Sequence, residues 1–461
     1  MKILQELRYP FFSTKFNTGE KCTAKGYFIP IIDVIDIRSE ILFALYFWQP
    51  MTPLYNIALL FTRAGLRLAA LFHPKAKAFV DGRTNIIKRV QQTFQGSKDR
   101  IVWVHCASLG EFEQGRPVIE ALKAAFPDVK ILLTFFSPSG YEVRKNYKHA
   151  DFVFYLPWDT ASNAFNFISA ANPTVAIFVK YEFWLHYSRE LKKRSIPLIS
   201  ISSIFRPDQM FFKPYGGFYR KILENFDFFF VQNERSQKLL HDIGIKNCTI
   251  AGDTRFDRVY AIVKEGGEIP IARKFKNQAK TMVVGSCWPE DFEVLTPMIN
   301  HGSLKFIIAP HEITENFLTS IERSLLVRFI RYSAAANVTD LEDYQVLIID
   351  NVGMLARLYQ YGEFAFVGGA FGKGLHNILE AACYGIPIFF GNRNYHKFQE
   401  AVDLINRGGA VEVNDYVDFK DKFELINNPA TFTLACEVTQ AYVTENLGAT
   451  EKIMQYCRKL L

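Results

Sequence analysis

The chain's apolar positions change their period along its length. From Leu54 to Phe72 they are interrupted by Asn56, Arg63 and Arg67, which at about 100° per residue fall on one narrow helical face. Leu54, Ile57, Leu60, Phe61, Leu66, Leu68 and Phe72 occupy the other sides. The pattern predicts an amphipathic helix able to lie in a bilayer interface. Packed instead on the protein's own core, it would leave its two arginines in water. From Ile101 the pattern turns into short apolar runs alternating with helical periods. Ile101–Cys106, Ile131–Phe135, Phe152–Leu156, Val175–Val179, Leu198–Ser202 and Phe228–Val231 are predicted strands, and Phe112–Ala125 a helix between the first two. After about residue 265 the alternation restarts, with strands at Met282–Gly285, Phe306–Ala309, Val346–Asp350, Phe364–Val367 and Ile388–Phe390. Gly266, Gly267 and Pro270 mark the break.

The expected class is therefore α/β, with two Rossmann-like doubly wound halves facing a cleft and a membrane-associated helix before them. The expected segments are an atypical extension over 1–50, the amphipathic segment over 51–80, and halves over 81–265 and 266–430. A helical stretch over 431–461 completes the chain and is expected to cross back to the first half. In the extension, an apolar run Ile41–Trp48 is broken by Gln49 and Pro50, and Met51 offers an alternative start. No small-residue cleavage site follows a compact apolar core, so a secretory signal is not expected.

Composition narrows the class. A length of 461 residues allows two to four domains, at roughly 100–200 residues each. With 49% hydrophobic and 22% charged residues, disordered and collagen-like chains are excluded. Uncharged apolar runs of about 18 residues are absent, which excludes a polytopic membrane protein. Seven scattered cysteines without a C-x-x-C pair form neither a disulfide framework nor a zinc ribbon, and read as reduced, cytosolic thiols. Residues 51–100 hold nine basic and two acidic side chains, a surplus equal to the whole chain's net charge of +7. So local a surplus, beside apolar sequence, fits an anionic membrane surface better than nucleic acid.

Ligands of open α/β sheets bind beyond the carboxyl ends of the strands, so motifs there carry most weight. After Phe364–Val367 comes a glycine-rich loop holding Gly368, Gly369, Gly372 and Gly374, and a helix is expected to open at His376. Its spacing is neither a Walker A loop nor a G-x-G-x-x-G fingerprint. It reads as a phosphate-binding turn or as a plain tight connection. Glu380, one turn into that helix, suits a ribose diol or simply solvent. After the first strand stands Ser108-Leu109-Gly110-Glu111, where Glu111 is either a general base or the acid of a capping box. After Val175–Val179 stands Lys180-Tyr181-Glu182-Phe183-Trp184, and for Glu182 an exposed loop carboxylate is the simpler reading.

These pieces, taken in order, resemble the 3-deoxy-D-manno-octulosonic acid (Kdo) transferases. The resemblance runs from about Met51 to near the C-terminus, through Ala107–Glu111, Thr134–Gly140, Tyr181–Trp184, Gly252–Asp257, Val367–Gly369 and His376–Glu380. It implies the two-domain GT-B fold and inverting, metal-independent transfer of Kdo from CMP-Kdo to a phosphorylated lipid A precursor (lipid IVA). It places that reaction at the cytoplasmic face of the inner membrane, with no cofactor and no nucleic acid. By resemblance, Glu111 is the base, and Glu182 and Arg255 steady the reacting centre. CMP falls to Pro310 and His311, to Val352, Gly353 and Met354, and to Asn377, Ile378, Leu379 and Glu380, with Gly368, Gly369 and Gly374 at its phosphate. The chain departs from the common pattern in having Lys180 for an acidic residue, Leu185 for Pro, Pro310 for Arg, Met354 for Glu and Arg255 for Lys. A GT-B transferase using a UDP-sugar and another lipid acceptor, and a membrane-attached nucleotide-binding scaffold without turnover, are the other readings.

Overall fold

The computed structural model describes residues 51–461; the expected extension and its apolar run lie outside the described residues. Two compact units divide at Ile57 and Ala58, and both sheets belong to the second. The first sheet contains β1 Ile101–Cys106, β2 Lys130–Phe135, β3 Phe152–Tyr155, β4 Val175–Val179, β5 Leu198–Ser203, β6 Phe228–Val231 and β7 Cys248–Ile250. The second contains β8 Thr281–Cys287, β9 Lys305–Pro310, β10 Phe329–Arg331, β11 Val346–Ile348, β12 Phe364–Val367, β13 Ile388–Gly391 and β14 Ala410–Val413. Every pairing is parallel. That arrangement follows from the runs themselves. β1 and β4 are buried at every residue, as strands covered by helices on both faces must be.

The strand orders locate the crevices. The first sheet runs β3-β2-β1-β4-β5-β6-β7 and the second β10-β11-β9-β8-β12-β13-β14. The winding reverses between β1 and β4, where Val102 pairs with Val175, and between β8 and β12, where Val367 pairs with Gly285. At such switch points the connecting loops diverge and leave room for a ligand. The central strands match their sequence expectations to within two residues. β7, β10 and β14, all edge strands of three or four residues, have no counterpart among those expectations.

The chain passes between the halves twice. Helix Thr254–Glu265 precedes the expected break, and Gly266 and Gly267 follow it with φ of 64° and 114°. Yet Phe256 and Val259 of that helix already pack in the second half's core, beside Val283 and Leu379. At the far end, helix Ala449–Leu460 returns. Its Ala449, Ile453, Met454 and Cys457 fill the core of the first half beside Val104 and Ile131. The Asp257 carboxylate fixes this return by accepting from Gly448 N at 2.7 Å and Thr450 N at 2.6 Å.

The amphipathic helix is Met51–Ala69, with no buried residue. No helix among the described residues is long and apolar enough to cross a membrane. Arg63 and Arg67 line a cavity of the first half, while Leu60, Phe61 and Leu68 stand outward. The half-buried positions from Ala58 onward are Leu59, Arg63, Leu66 and Ala69, while Arg67 is exposed, so a mixed stripe rather than a purely polar or apolar one faces the protein.

Asp257→Ala removes the acceptor for two helix-end amides. It is expected to lower stability by about 1–2 kcal/mol in urea unfolding, with the loss reported by Trp fluorescence of the first half.

Candidate active site

The first switch point holds two carboxylates in different environments. Glu111 lies in the first turn of helix Leu109–Ala125, where the amide dipoles favour a negative charge. The capping-box alternative does not form. The Ser108 side chain caps no backbone amide, and its hydroxyl donates to Glu111 Oε2 instead. Lys180 Nζ stands 4.0 Å from Oε1. Lys180 itself has φ 69°, a left-handed conformation that turns the chain sharply at the end of β4. Tyr181, beside it, has a buried hydroxyl without a hydrogen-bond partner in the described residues. The Glu111 carboxylate remains open to the crevice, with its side chain 19% exposed.

Glu182 is no exposed loop carboxylate. It is buried, and its Oε2 receives Trp184 Nε1–H at 2.8 Å and meets His105 Nε2 at 3.0 Å. His105 Nδ1 lies 2.9 Å from Thr134 Oγ1, which accepts from Trp103 Nε1 at 2.8 Å. The His105 ring thus bridges Thr134 on β2, whose carbonyl also lies 3.2 Å from Nδ1, and the Glu182 carboxylate. Two strands, β1 and β2, together with Trp184 therefore hold this one carboxylate, and its rigidity comes from a buried relay of side chains.

The second switch point is built around backbone. Gly368 admits no Cβ, which would lie 2.3 Å from Ser286 O. Gly369 has φ 95°, and its amide donates to Asp291 Oδ2 at 2.8 Å, beside Trp288 N at 2.9 Å. Burial pushes the Asp291 carboxyl up to about 6. Above the loop, Trp288 stacks on His311 at 4.5 Å, His311 meets His376 at 4.3 Å, and Trp288 Nε1–H donates to His376 Nε2. Burial holds His376 down at about 4, so it is neutral at pH 7. A cavity of about 340 Å³ opens beside this stack, lined among others by Ser286, Gly353, His376, Asn377 and Glu380. Asn377 Nδ2 donates to Glu380 Oε1 at 3.1 Å, while burial raises the Glu380 carboxyl to about 7. The charge of Glu113, two residues beyond Glu111, adds to that rise, so the two switch points lie within electrostatic reach.

Residues 83–258 match the family model described as 3-deoxy-D-manno-octulosonic-acid transferase (kdotransferase). Those residues carry a Kdo transferase domain, and most of the chain is similar to Kdo transferases. A 3-deoxy-D-manno-octulosonic acid transferase of Rickettsia bellii is 26% identical over 74% of this chain and 84% of its own length. One from Aquifex aeolicus is 28% identical over 67% of this chain and 80% of its own. The fold is GT-B. A solved UDP-GlcNAc 2-epimerase from Neisseria meningitidis superposes with TM-score 0.55 at 16% identity, over 78% of this chain and all of that one.

Against that family's pattern the remaining residues divide clearly. Gly353, Asn377 and Glu380 line the cavity, and His311 joins the stack beside it. Ile378 and Leu379 are fully buried in the second core, leaving only their backbone to a ligand. Met354 packs against the same core, Val352 is 87% exposed, and Pro310 ends β9 with its ring buried. Gly374, at φ 127°, turns the loop back toward Lys397. The helix expected from His376 begins only at Leu379 and has four residues, so it is no N-terminal anion site of its own. Arg255 is committed to two carboxylates. Its Nε donates to Asp253 at 2.8 Å and its Nη1 to Glu400 at 2.9 Å. Asp291, Trp288, Lys373 and Glu400 escaped sequence reasoning, because their partners lie 78 to 145 residues away or, for Lys373, across the loop.

Glu380 generates a pH dependence with a definite sign. Between the ordinary value of 4.5 and about 7, the folded chain keeps a proton that the unfolded chain has released. Its contribution to stability therefore falls as pH rises through that window. Glu380→Gln is expected to raise Tm at pH 8 by the equivalent of about 1–3 kcal/mol and to leave it unchanged near pH 4. Calorimetric melts of both proteins across that range check this.

Proposed function

We propose that this protein moves Kdo from CMP-Kdo to a sugar hydroxyl of a phosphorylated lipid A precursor, lipid IVA, by a single inverting displacement at the cytoplasmic face of the inner membrane. The observation that carries the reading is the pairing of sites. An accessible carboxylate stands at one switch point, and a nucleotide-sized cavity with a ribose-suited carboxylate stands at the other. Glu111 takes the proton of the attacking hydroxyl. The hydroxyl oxygen bonds to the anomeric carbon as the bond from that carbon to the phosphate oxygen breaks, and CMP leaves with the electron pair. Ionised Glu380 accepts both ribose hydroxyls, and the His376–His311–Trp288 stack walls the nucleotide.

The phosphate needs a cation where the family's arginine is replaced by Pro310. Lys373 supports that role. Its ammonium lies 4.3 Å above the Trp288 ring, and burial, with a smaller contribution from that charge, holds the neighbouring His311 below its ordinary value. Together with the loop amides it opposes the charge that develops on the leaving group. Glu182, locked by His105 and Trp184, gives the reacting centre a carboxyl group in a fixed place.

Purified protein, a tetraacylated lipid A precursor and CMP-Kdo generated in situ are expected to yield a lipid heavier by one or more Kdo units by mass spectrometry. Glu111→Ala is expected to fold and to lose about 10²–10⁴-fold in turnover. A near-normal rate in that variant rejects the base. A mass gain from a UDP-sugar instead of CMP-Kdo rejects the donor.

A further inference from the structure

The largest cavity among those described in this molecule is not the nucleotide site. It has a volume of about 650 Å³ and lies where helix Met51–Ala69 passes the start of helix Ile86–Phe94 and the segment after β3. Arg63, Arg67, Arg83 and Lys88 line it, with Asn85 and Asn163, and no carboxylate is among its lining residues. None of the four cations forms an ion pair among the described residues. Arg83 is the telling one. It is only 8% exposed, and its Nε, Nη1 and Nη2 donate to Leu156 O, Phe79 O and Phe136 O. The rings of Phe79 and Phe136 sit 3.7 and 4.8 Å from its guanidinium carbon, with Tyr155 and Trp158 beyond. A buried guanidinium costs free energy unless an opposite charge compensates it, and carbonyls and ring faces offer none in full. Four like charges around one void raise that cost.

We propose that this cavity binds the phosphate-bearing headgroup of a membrane lipid, at a site separate from the cleft. Charge complementarity sets the head: a phosphomonoester dianion supplies what the four cations lack. The outer side of the same helix sets the tail. Phe61 and Leu68, roughly 100–160° round the helix from Arg63 and Arg67, and Leu71 and Phe72 just past its end are 64–84% exposed. A ligand charged at the cavity and apolar beside it is a lipid, not a nucleotide. The cavity is walled from Glu182 by a row of rings, Trp158 to Phe136 at 6.0 Å and Phe136 to Trp184 at 4.8 Å. Occupancy therefore does not depend on which donor or acceptor the cleft takes. The site differs from a diffuse basic surface in holding its charges around one void, so position matters and not charge alone.

The test compares two double variants of equal charge in the full chain, on phosphatidylcholine vesicles with and without about 20% phosphatidic acid. Arg63→Ala/Arg67→Ala removes two cavity cations, and Lys75→Ala/Lys77→Ala removes two exposed cations of the same segment outside it. The parent is expected to co-sediment with the phosphatidic acid vesicles. The arginine variant is expected to bind them roughly tenfold more weakly and the lysine variant less than twofold, with unchanged melting of both. Equal losses in the two variants mean diffuse attraction and overturn the proposal, as does an arginine variant that binds like the parent. Release of the parent by millimolar inorganic phosphate at constant ionic strength assigns the site to free anion and overturns the lipid.

Discussion

Arg255 stands where the two halves meet, its guanidinium held on one side by Asp253 and on the other by Glu400. Both carboxylates are buried, and the pairing raises the arginine's affinity for its proton further. Removing either partner would strand a charge away from water, which is why such a triad fixes geometry even where it adds little net stability. From it, contacts run into the first half. Asp253 Oδ2 accepts from Gln114 Nε2, and the Thr254 hydroxyl donates to Gln114 O. Gln114 lies one turn beyond Glu111 on the same helix. The separation of the two switch points is thus set by a chain of charges and hydrogen bonds that ends near the proposed base. The fork of an arginine spans two carboxylates at once, and the lysine found in the family's common pattern has one point charge for the same task.

Around this join, the site is assembled from backbone strain at strand ends. Lys180, Ser202 and Ser286 are non-glycine residues with φ of 69°, 51° and 51°, and they sit at the ends of β4, β5 and β8. Each conformation costs about 1 kcal/mol or more, and the sheets around it are rigid enough to hold it. At Ser286 the carbonyl comes so near Gly368 that no side chain fits there. Asp291 then ties the glycine loop to the end of β8 through the amides of Trp288 and Gly369. The loop is therefore rigid because a buried acid grips it, not because of its glycines.

What could be seen in the amino-acid sequence divides along physical lines. Central strands were legible because burial on both faces demands unbroken apolar runs, as in Ile101–Cys106. Edge strands such as Cys248–Ile250 were not, since a strand paired on one side needs only three residues and little apolar content. Glu111 and Glu380 could be picked out because they follow strands. Glu182 could be picked out but not understood, as its burial comes from His105 and Trp184, and His105 alone reads as one more residue of a buried strand. Lys180 appeared only as a departure from a pattern, and its place beside Glu111 is a fact of the folded chain. The helix expected at His376 shortened because Ile378 and Leu379 are drawn into the core, which a periodicity argument cannot register.

The returning C-terminal helix has a consequence in time. The first half's core includes Ala449, Ile453, Met454 and Cys457, so that half lacks part of its interior until helix Ala449–Leu460 has left the ribosome. The second half's residues are all synthesised before then. Its own core takes its first members from Phe256 onward and its last at Val443. The order of assembly is therefore the reverse of the order of synthesis: the second half can close first, and the half that carries Glu111 is completed only when helix Ala449–Leu460 has followed it.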